Sequence, residues 1–162
     1  MANWCYNTVQ FEGCSGAIEN IKSIFEILME QQKNNDEGLM PDFIKLTEGY
    51  MFSVDWCEGD GFAMASYDTK WSPNFEVMQE VAKHFKVNYT HAYNELGCGI
   101  YGEAYYKDGV LTDIFLEQDD LDLYDVNPED EDTWVFEGQV YQSDFDILEI
   151  LLQRRKDGCF YH

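Results

Sequence analysis

Apolar residues recur along this chain in two rhythms, one of two residues and one of three to four. Residues 6–12 alternate and predict a first strand, closed by Gly13. Ile18, Ile21, Ile24, Phe25 and Leu28 then recur at helical spacing behind Ser15, a candidate N-cap, and predict a helix to about Gln32. The polar stretch 31–38 reads as a loop. Tyr50, Phe52, Val54 and Trp56 alternate with Met51, Ser53 and Asp55, the pattern of a half-buried strand. Glu58-Gly59-Asp60-Gly61 reads as a turn, and residues 62–68 return as the second strand of a hairpin.

Ser72-Pro73 carries two helix-start signals, a capping hydroxyl and a proline whose missing N–H costs nothing in the first turn. Phe75, Met78, Val81, Ala82 and Phe85 form the predicted buried stripe of a helix over 72–85. Val87, Tyr89, His91 and Tyr93 share one face of the next strand. Residues 100–107 predict another, with Ile100, Gly102, Ala104 and Tyr106 on one side. Asp108-Gly109 is a strong hairpin signal and returns the chain into residues 110–116. The order β-α-β-β-α-β, plus one hairpin, predicts an α+β fold: a ferredoxin-like antiparallel sheet with two helices on one face. We assign residues 1–117 to this domain. Residues 118–162 read as an acidic loop, a short hairpin around Glu137-Gly138 and a C-terminal helix packed on the same core. That helix should start at Ser143-Asp144, bury Phe145, Leu148, Leu151 and Leu152, and end at Gly158.

Composition then narrows the function classes. The chain has 162 residues, 45% apolar and 16% aromatic, enough for a real core. Its 32 Asp and Glu against 10 Lys and Arg give −22, which excludes direct nucleic-acid binding through a basic footprint and docking on an anionic membrane surface. No apolar run is long enough to span a membrane. The N-terminus lacks a basic and an apolar region of the secretory kind. Five cysteines, Cys5, Cys14, Cys57, Cys98 and Cys159, are odd in number and show no C-x-x-C spacing, so reduced thiols and a cytoplasmic location are expected.

The charge is patterned. From Asp108 to Gln153 there is no Lys or Arg, and 15 acids. Eight cluster as Asp119, Asp120, Asp122, Asp125, Glu129, Asp130, Glu131 and Asp132. Three readings compete: a solvated loop that keeps the protein soluble, a surface for a basic protein partner, or a metal loop. Calcium-loop spacing places Asp120, Asp122 and Glu131 at positions 1, 3 and 12. Asp125 replaces the glycine expected at position 6, and Tyr124 takes a ligand position, so an EF-hand is rejected. Gly97-Cys98-Gly99-Ile100-Tyr101-Gly102 matches G-x-G-x-x-G but leads into a strand rather than a helix, so it does not predict a dinucleotide site. His91 reads as a hydrogen-bonded structural histidine. No cofactor or metal is expected.

Asn3-Trp4-Cys5, Asn7, the Asp68-Thr69-Lys70-Trp71-Ser72-Pro73 stretch and the Gly97–Glu103 strand start together resemble the YubB-like ferredoxin-like-domain proteins of phages and plasmids. Ala2 stands where those proteins carry proline. The resemblance covers about residues 1–117, and the segment after Glu117 is not part of it. It implies the same fold and a mobile-element origin. It brings no activity, no catalytic residues and no iron–sulfur cluster.

Two functions from different classes follow. The favoured one is a non-enzymatic acidic binding protein that occupies a basic site on a protein partner. Nucleic-acid mimicry, in which carboxylates replace phosphates in a DNA-processing or defence protein, is one form of it. The eight clustered acids would be its contact residues. The other is a small enzyme or ligand-binding domain with a cleft beside the W-S-P segment, lined by Asp68, Trp71, Tyr93, Glu95, Tyr101 and Glu103.

Overall fold

A computed structural model of the chain describes residues 3–160; the Met1-Ala2 opening and His162 lie outside them. The chain divides into two units, one of Met1–Glu95 with Glu103–Asp113, the other of Leu96–Gly102 with Ile114–His162.

The first unit follows the predicted order. Strand β1 (Trp4–Glu12) leads to helix α1 (Ser15–Gln32), then β2 (Phe52–Gly59), β3 (Phe62–Lys70), helix α2 (Phe75–Phe85) and β4 (Asn88–Glu95). Strands β5 (Ile100–Lys107) and β6 (Val110–Phe115) continue the same sheet. Its spatial order is β2-β3-β1-β4-β5-β6. β1 pairs antiparallel with both β3 and β4, and β2 pairs antiparallel with β3. The first four strands thus have the ferredoxin-like order, and the last two extend it beyond β4. At the joining turn Asp108 and Gly109 both have positive φ, 50° and 84°, as a two-residue type I′ hairpin requires.

One face of the sheet is buried. On β1, Cys5, Asn7, Val9 and Phe11 are covered while Trp4, Tyr6 and Gln10 are exposed. The register sets Asn7 beside Tyr67 and Tyr93, Val9 beside Ala65 and His91, and Phe11 beside Tyr89. Helix α1 adds Ile21, Phe25 and Leu28, and α2 adds Val77, Met78, Val81 and Ala82. Each large apolar side chain so covered stabilises by roughly 1.5–3 kcal/mol relative to exposure.

Three sequence expectations need correction here. Ser15 is the first helical residue of α1, and the N-cap position falls on Cys14, which has no side-chain capping bond. Helix α2 begins at Phe75 rather than Ser72, because the chain first makes a turn at Trp71, whose φ is +72°. Phe75 and Phe85 are half-buried, and Val77 takes the place expected for them. The irregular segment 33–51, of which residues 39–49 carry no sequence expectation, contributes Leu39, Ile44 and Met51 to the core. Leu39 and Met51 exchange backbone hydrogen bonds at 2.8 Å.

The second unit holds helix α3 (Gln118–Leu121), strands β7 (Tyr124–Asn127), β8 (Asp130–Phe136) and β9 (Gln139–Tyr141), and helix α4 (Asp144–Phe160). The strands form an antiparallel sheet in the order β7-β8-β9. The acidic run is therefore regular structure, not a loop. The hairpin turn at Glu137-Gly138 is as expected, with φ 49° and 79°. In α4, Ile147, Leu148, Leu151 and Leu152 are buried, whereas Phe145 is 44% exposed. Phe145 stands three residues before Leu148, at the flank of the same stripe and in the first turn of the helix, and Ile147 takes the buried place instead. The Ser143 hydroxyl accepts the Phe145 N–H at 3.2 Å. Gly158 does not stop α4, which continues to Phe160.

Candidate functional site

The first unit carries a groove of about 1110 Å³ lined by residues 36–38, 48–50, 52 and 70–77. Trp71 and Tyr50 stand in its wall at 53% and 41% exposure. Phe52 lies beside them, with the Lys70 ammonium 5.3 Å from its ring centroid and Trp4 edge-on at 4.9 Å. Four carboxylates, Asp36, Glu37, Glu48 and Glu76, face one lysine. Trp71 is not part of the core. It is displayed outward.

Buried polar side chains hold the walls in place. The Thr69 hydroxyl donates to the Ser72 carbonyl at 2.7 Å and so bends the chain after β3. The Tyr67 hydroxyl donates to Asn74 Oδ1 at 2.7 Å, and Asn74 Nδ2 donates to the Gly49 carbonyl at 3.0 Å. The Trp71 backbone N–H donates to the Asn3 carbonyl at 2.8 Å. Left-handed backbone at a bulky residue costs of order 1 kcal/mol or more and persists only where its surroundings impose it. Gly49, at φ +86°, has no such cost. A Cβ there would lie 2.8 Å from Val77 Cγ2 and 3.1 Å from Asn74 Cβ, so the second wall depends on this glycine.

Beneath this region Asn7 joins three strands. Its amide donates to the Cys5 carbonyl and to Thr69 Oγ1, each at 2.9 Å, which leaves Oδ1 as the acceptor facing His91 Nε2 at 2.8 Å. His91 therefore carries its proton on Nε2. Its Nδ1 is buried without a hydrogen-bond partner, among Phe75, Tyr67, Tyr89 and Tyr93. Burial lowers its pKa from 6.5 to about 3. It is the structural, hydrogen-bonded histidine that the sequence suggests.

The six residues proposed for a cleft do not gather in this groove; only Trp71 lines it. Asp68 shares a sheet face with Tyr6 and Asn94, while Tyr93 sits on the opposite, buried face beside Asn7. Burial raises the Asp68 carboxyl above its ordinary pKa. The Tyr93 hydroxyl donates to Asp113 at 2.6 Å, and burial raises both groups. Glu95 ends β4. Glu103 accepts the Tyr105 hydroxyl two residues along β5. Tyr101 belongs to the second unit, 6.3 Å from the Phe145 ring. The groove's carboxylates at residues 36–48 escaped sequence reading because that segment carries no periodic signal, and Tyr50 and Phe52 were read only as strand residues. Trp71 beside Ser72-Pro73 was the one visible pointer.

The eight clustered acids spread over α3, β7, the β7–β8 turn and β8. Seven are exposed; Asp120 is half-buried, paired with Arg155 at 2.6 Å. Arg155 also meets Glu117, and Arg154 holds Glu137 with two hydrogen bonds of 2.8 and 2.9 Å. Asp125 Oδ1 accepts the Val126 N–H and Asp130 Oδ1 the Asp132 N–H. The second unit holds fourteen Asp and Glu against three Lys and Arg, which is −11, half of the chain's −22. The second unit is about half the size of the first and so carries about twice its charge density, and eight of its fourteen acids fall in the run.

Gly97 to Gly102 form a short 3₁₀ turn (Leu96–Cys98) that enters β5, with no helix N-terminus to hold a phosphate. Among the described residues no group of three His, Cys, Asp or Glu is placed to hold a metal ion. Among the described residues no helix is long and apolar enough to cross a membrane.

No disulfide forms among the described residues; Cys5 is buried and Cys14, Cys57, Cys98 and Cys159 are exposed. Burial pushes the Cys5 thiol up to about 11. A thiol reagent at neutral pH should therefore modify four cysteines quickly in the folded protein and the fifth only on unfolding. A total of three or one in denaturant without reductant would reveal disulfides instead.

A family model described as a ferredoxin-like domain in Api92-like protein matches residues 51–137. No curated protein and no solved structure matches the chain. The matched span is more than half of the chain, which therefore belongs to this family. The span starts at Met51, just before β2, and ends in the β8–β9 turn, so it takes in the whole acidic run.

Proposed function

We propose, from a family membership that brings a fold and no chemistry, that this protein is a non-enzymatic binding module for a basic protein partner. The acidic run of the second unit is its contact surface. One observation carries the reading: the unit's two arginines fold back on Glu117, Asp120 and Glu137, away from the other seven carboxylates of the run. Among the described residues, Asp119, Asp122, Asp125, Glu129, Asp130, Glu131 and Asp132 make no ion pair and are exposed. Like charges repel by about 1 kcal/mol at 4 Å even in water, and a basic partner relieves that cost. Of the six cleft candidates only Trp71 lines the groove, which supports the non-enzymatic side of the reading.

Nucleic-acid mimicry is the finer form of this proposal, and duplex DNA should then compete with the protein for its partner. The test is capture of partners from a lysate of the source organism at low and high salt, comparing the parent with a variant of the run. Exposed charges steer association over about 8–10 Å at physiological ionic strength, so capture should fall steeply with salt.

A further inference from the structure

We infer that the groove of the first unit takes a short extended basic peptide, seating a lysine or arginine side chain on the exposed rings of Trp71 and Tyr50 with Glu37 and Glu48 as counter-charges. The inference rests on the basic-partner reading and names a second place where such a partner enters. Three features of the groove carry it.

The first is charge: four carboxylates line it against one lysine, so a cation is the complementary occupant. The second is the aromatic wall. Cations are attracted to ring faces within about 6 Å of the centroid, and the groove already shows this chemistry in Lys70 over Phe52 at 5.3 Å. Trp71 and Tyr50 offer further ring surface to solvent. Trp71 does so at φ +72°, a costly backbone that the Thr69 and Asn3 hydrogen bonds impose. The third is size. At about 1110 Å³ and bounded by three separate chain segments, the groove has room for several residues of an extended chain. An extended peptide of a few residues fills it, and a single small amine does not.

The full ¹⁵N-labelled chain, titrated with an acetylated Ala-Lys-Ala-Arg-Ala peptide at low salt, tests this. Amide shifts should concentrate at Gly38, Gly49 and Tyr50 and at the Trp71 indole N–H. A neutral peptide with acetyl-lysine and citrulline should bind at least about tenfold more weakly. Trp71→Ala, and separately Glu37→Gln with Glu48→Gln, should each weaken binding by about tenfold. These side chains are exposed, so the melting temperature should hold. Shifts confined to residues 117–132 would overturn the groove site and leave the basic-partner reading standing. Equal binding of the neutral peptide, or no shift at any peptide concentration, would also overturn it. The basic-partner reading has its own separate failure, namely capture that ignores the acidic run.

Discussion

Lowering the pH from 6.5 towards 3 should remove roughly 3–5 kcal/mol of unfolding free energy through His91 alone. In the unfolded chain this imidazole takes its proton near 6.5; in the fold, burial holds it neutral down to about 3. Between those values the unfolded state binds the extra proton, so stability falls as pH falls. The groups facing the ring from every packed element are Asn7, Tyr67, Phe75, Tyr89 and Tyr93, none of them charged in this window. Asp68 and Asp113 act in the opposite sense. Burial raises their carboxyls, so the fold takes those protons first and they add stability in acid. Urea unfolding at a series of pH values measures the balance. His91→Gln, which keeps a donor for Asn7 Oδ1, should flatten the acid limb. A folded-state imidazole that titrates near 6.5 by NMR would contradict this account.

Asn7→Ala should cost about 2–4 kcal/mol, although it removes only three heavy atoms. The side chain is fully buried and makes bonds to β1, β3 and β4 at once. Its loss strands the His91 Nε2–H in an apolar site, and an unmet buried donor alone costs about 1–3 kcal/mol. It also frees Thr69, whose hydroxyl shapes the Ser72 turn. The substitution should therefore shift the Trp71 indole resonance as well as the urea midpoint. Gln10→Ala, on the exposed face of the same strand, should stay within about 0.5 kcal/mol. Equal effects from the two would show that the polar hub contributes nothing.

The fold was legible where local chemistry and tertiary packing agree. Asp108-Gly109 specifies a type I′ turn by backbone sterics alone, and the alternation in residues 87–93 follows from one buried sheet face. Legibility failed where a distant partner overrides a local signal. Ser72-Pro73 looks like a helix start, but the Thr69 hydroxyl takes the Ser72 carbonyl, and Asn74 spends its amide on Gly49. The helix waits until Phe75. Leu39 and Ile44 enter the core from irregular backbone, which leaves no period to read. The acidic run looked like a loop because its strands are short, and because Asp and Glu are poor strand formers in isolation. For the groove, the sequence showed one of its aromatic residues and none of its carboxylates, since residues 36–48 reach it only through the fold.

The central claim, a basic partner held by the acidic run, is tested most directly by one comparison. Asp119, Glu129, Glu131 and Asp132 are exposed and make no side-chain hydrogen bond to the described residues, so their Asn or Gln replacements should leave the fold intact. The parent and this fourfold variant are used to capture proteins from lysate at low and high salt, with each captured protein quantified by mass spectrometry. The account predicts a basic protein held by the parent at low salt, released at high salt and largely lost from the variant, with the two melting temperatures alike. A variant that retains every partner of the parent would contradict it and leave the acidic run as a device for solubility.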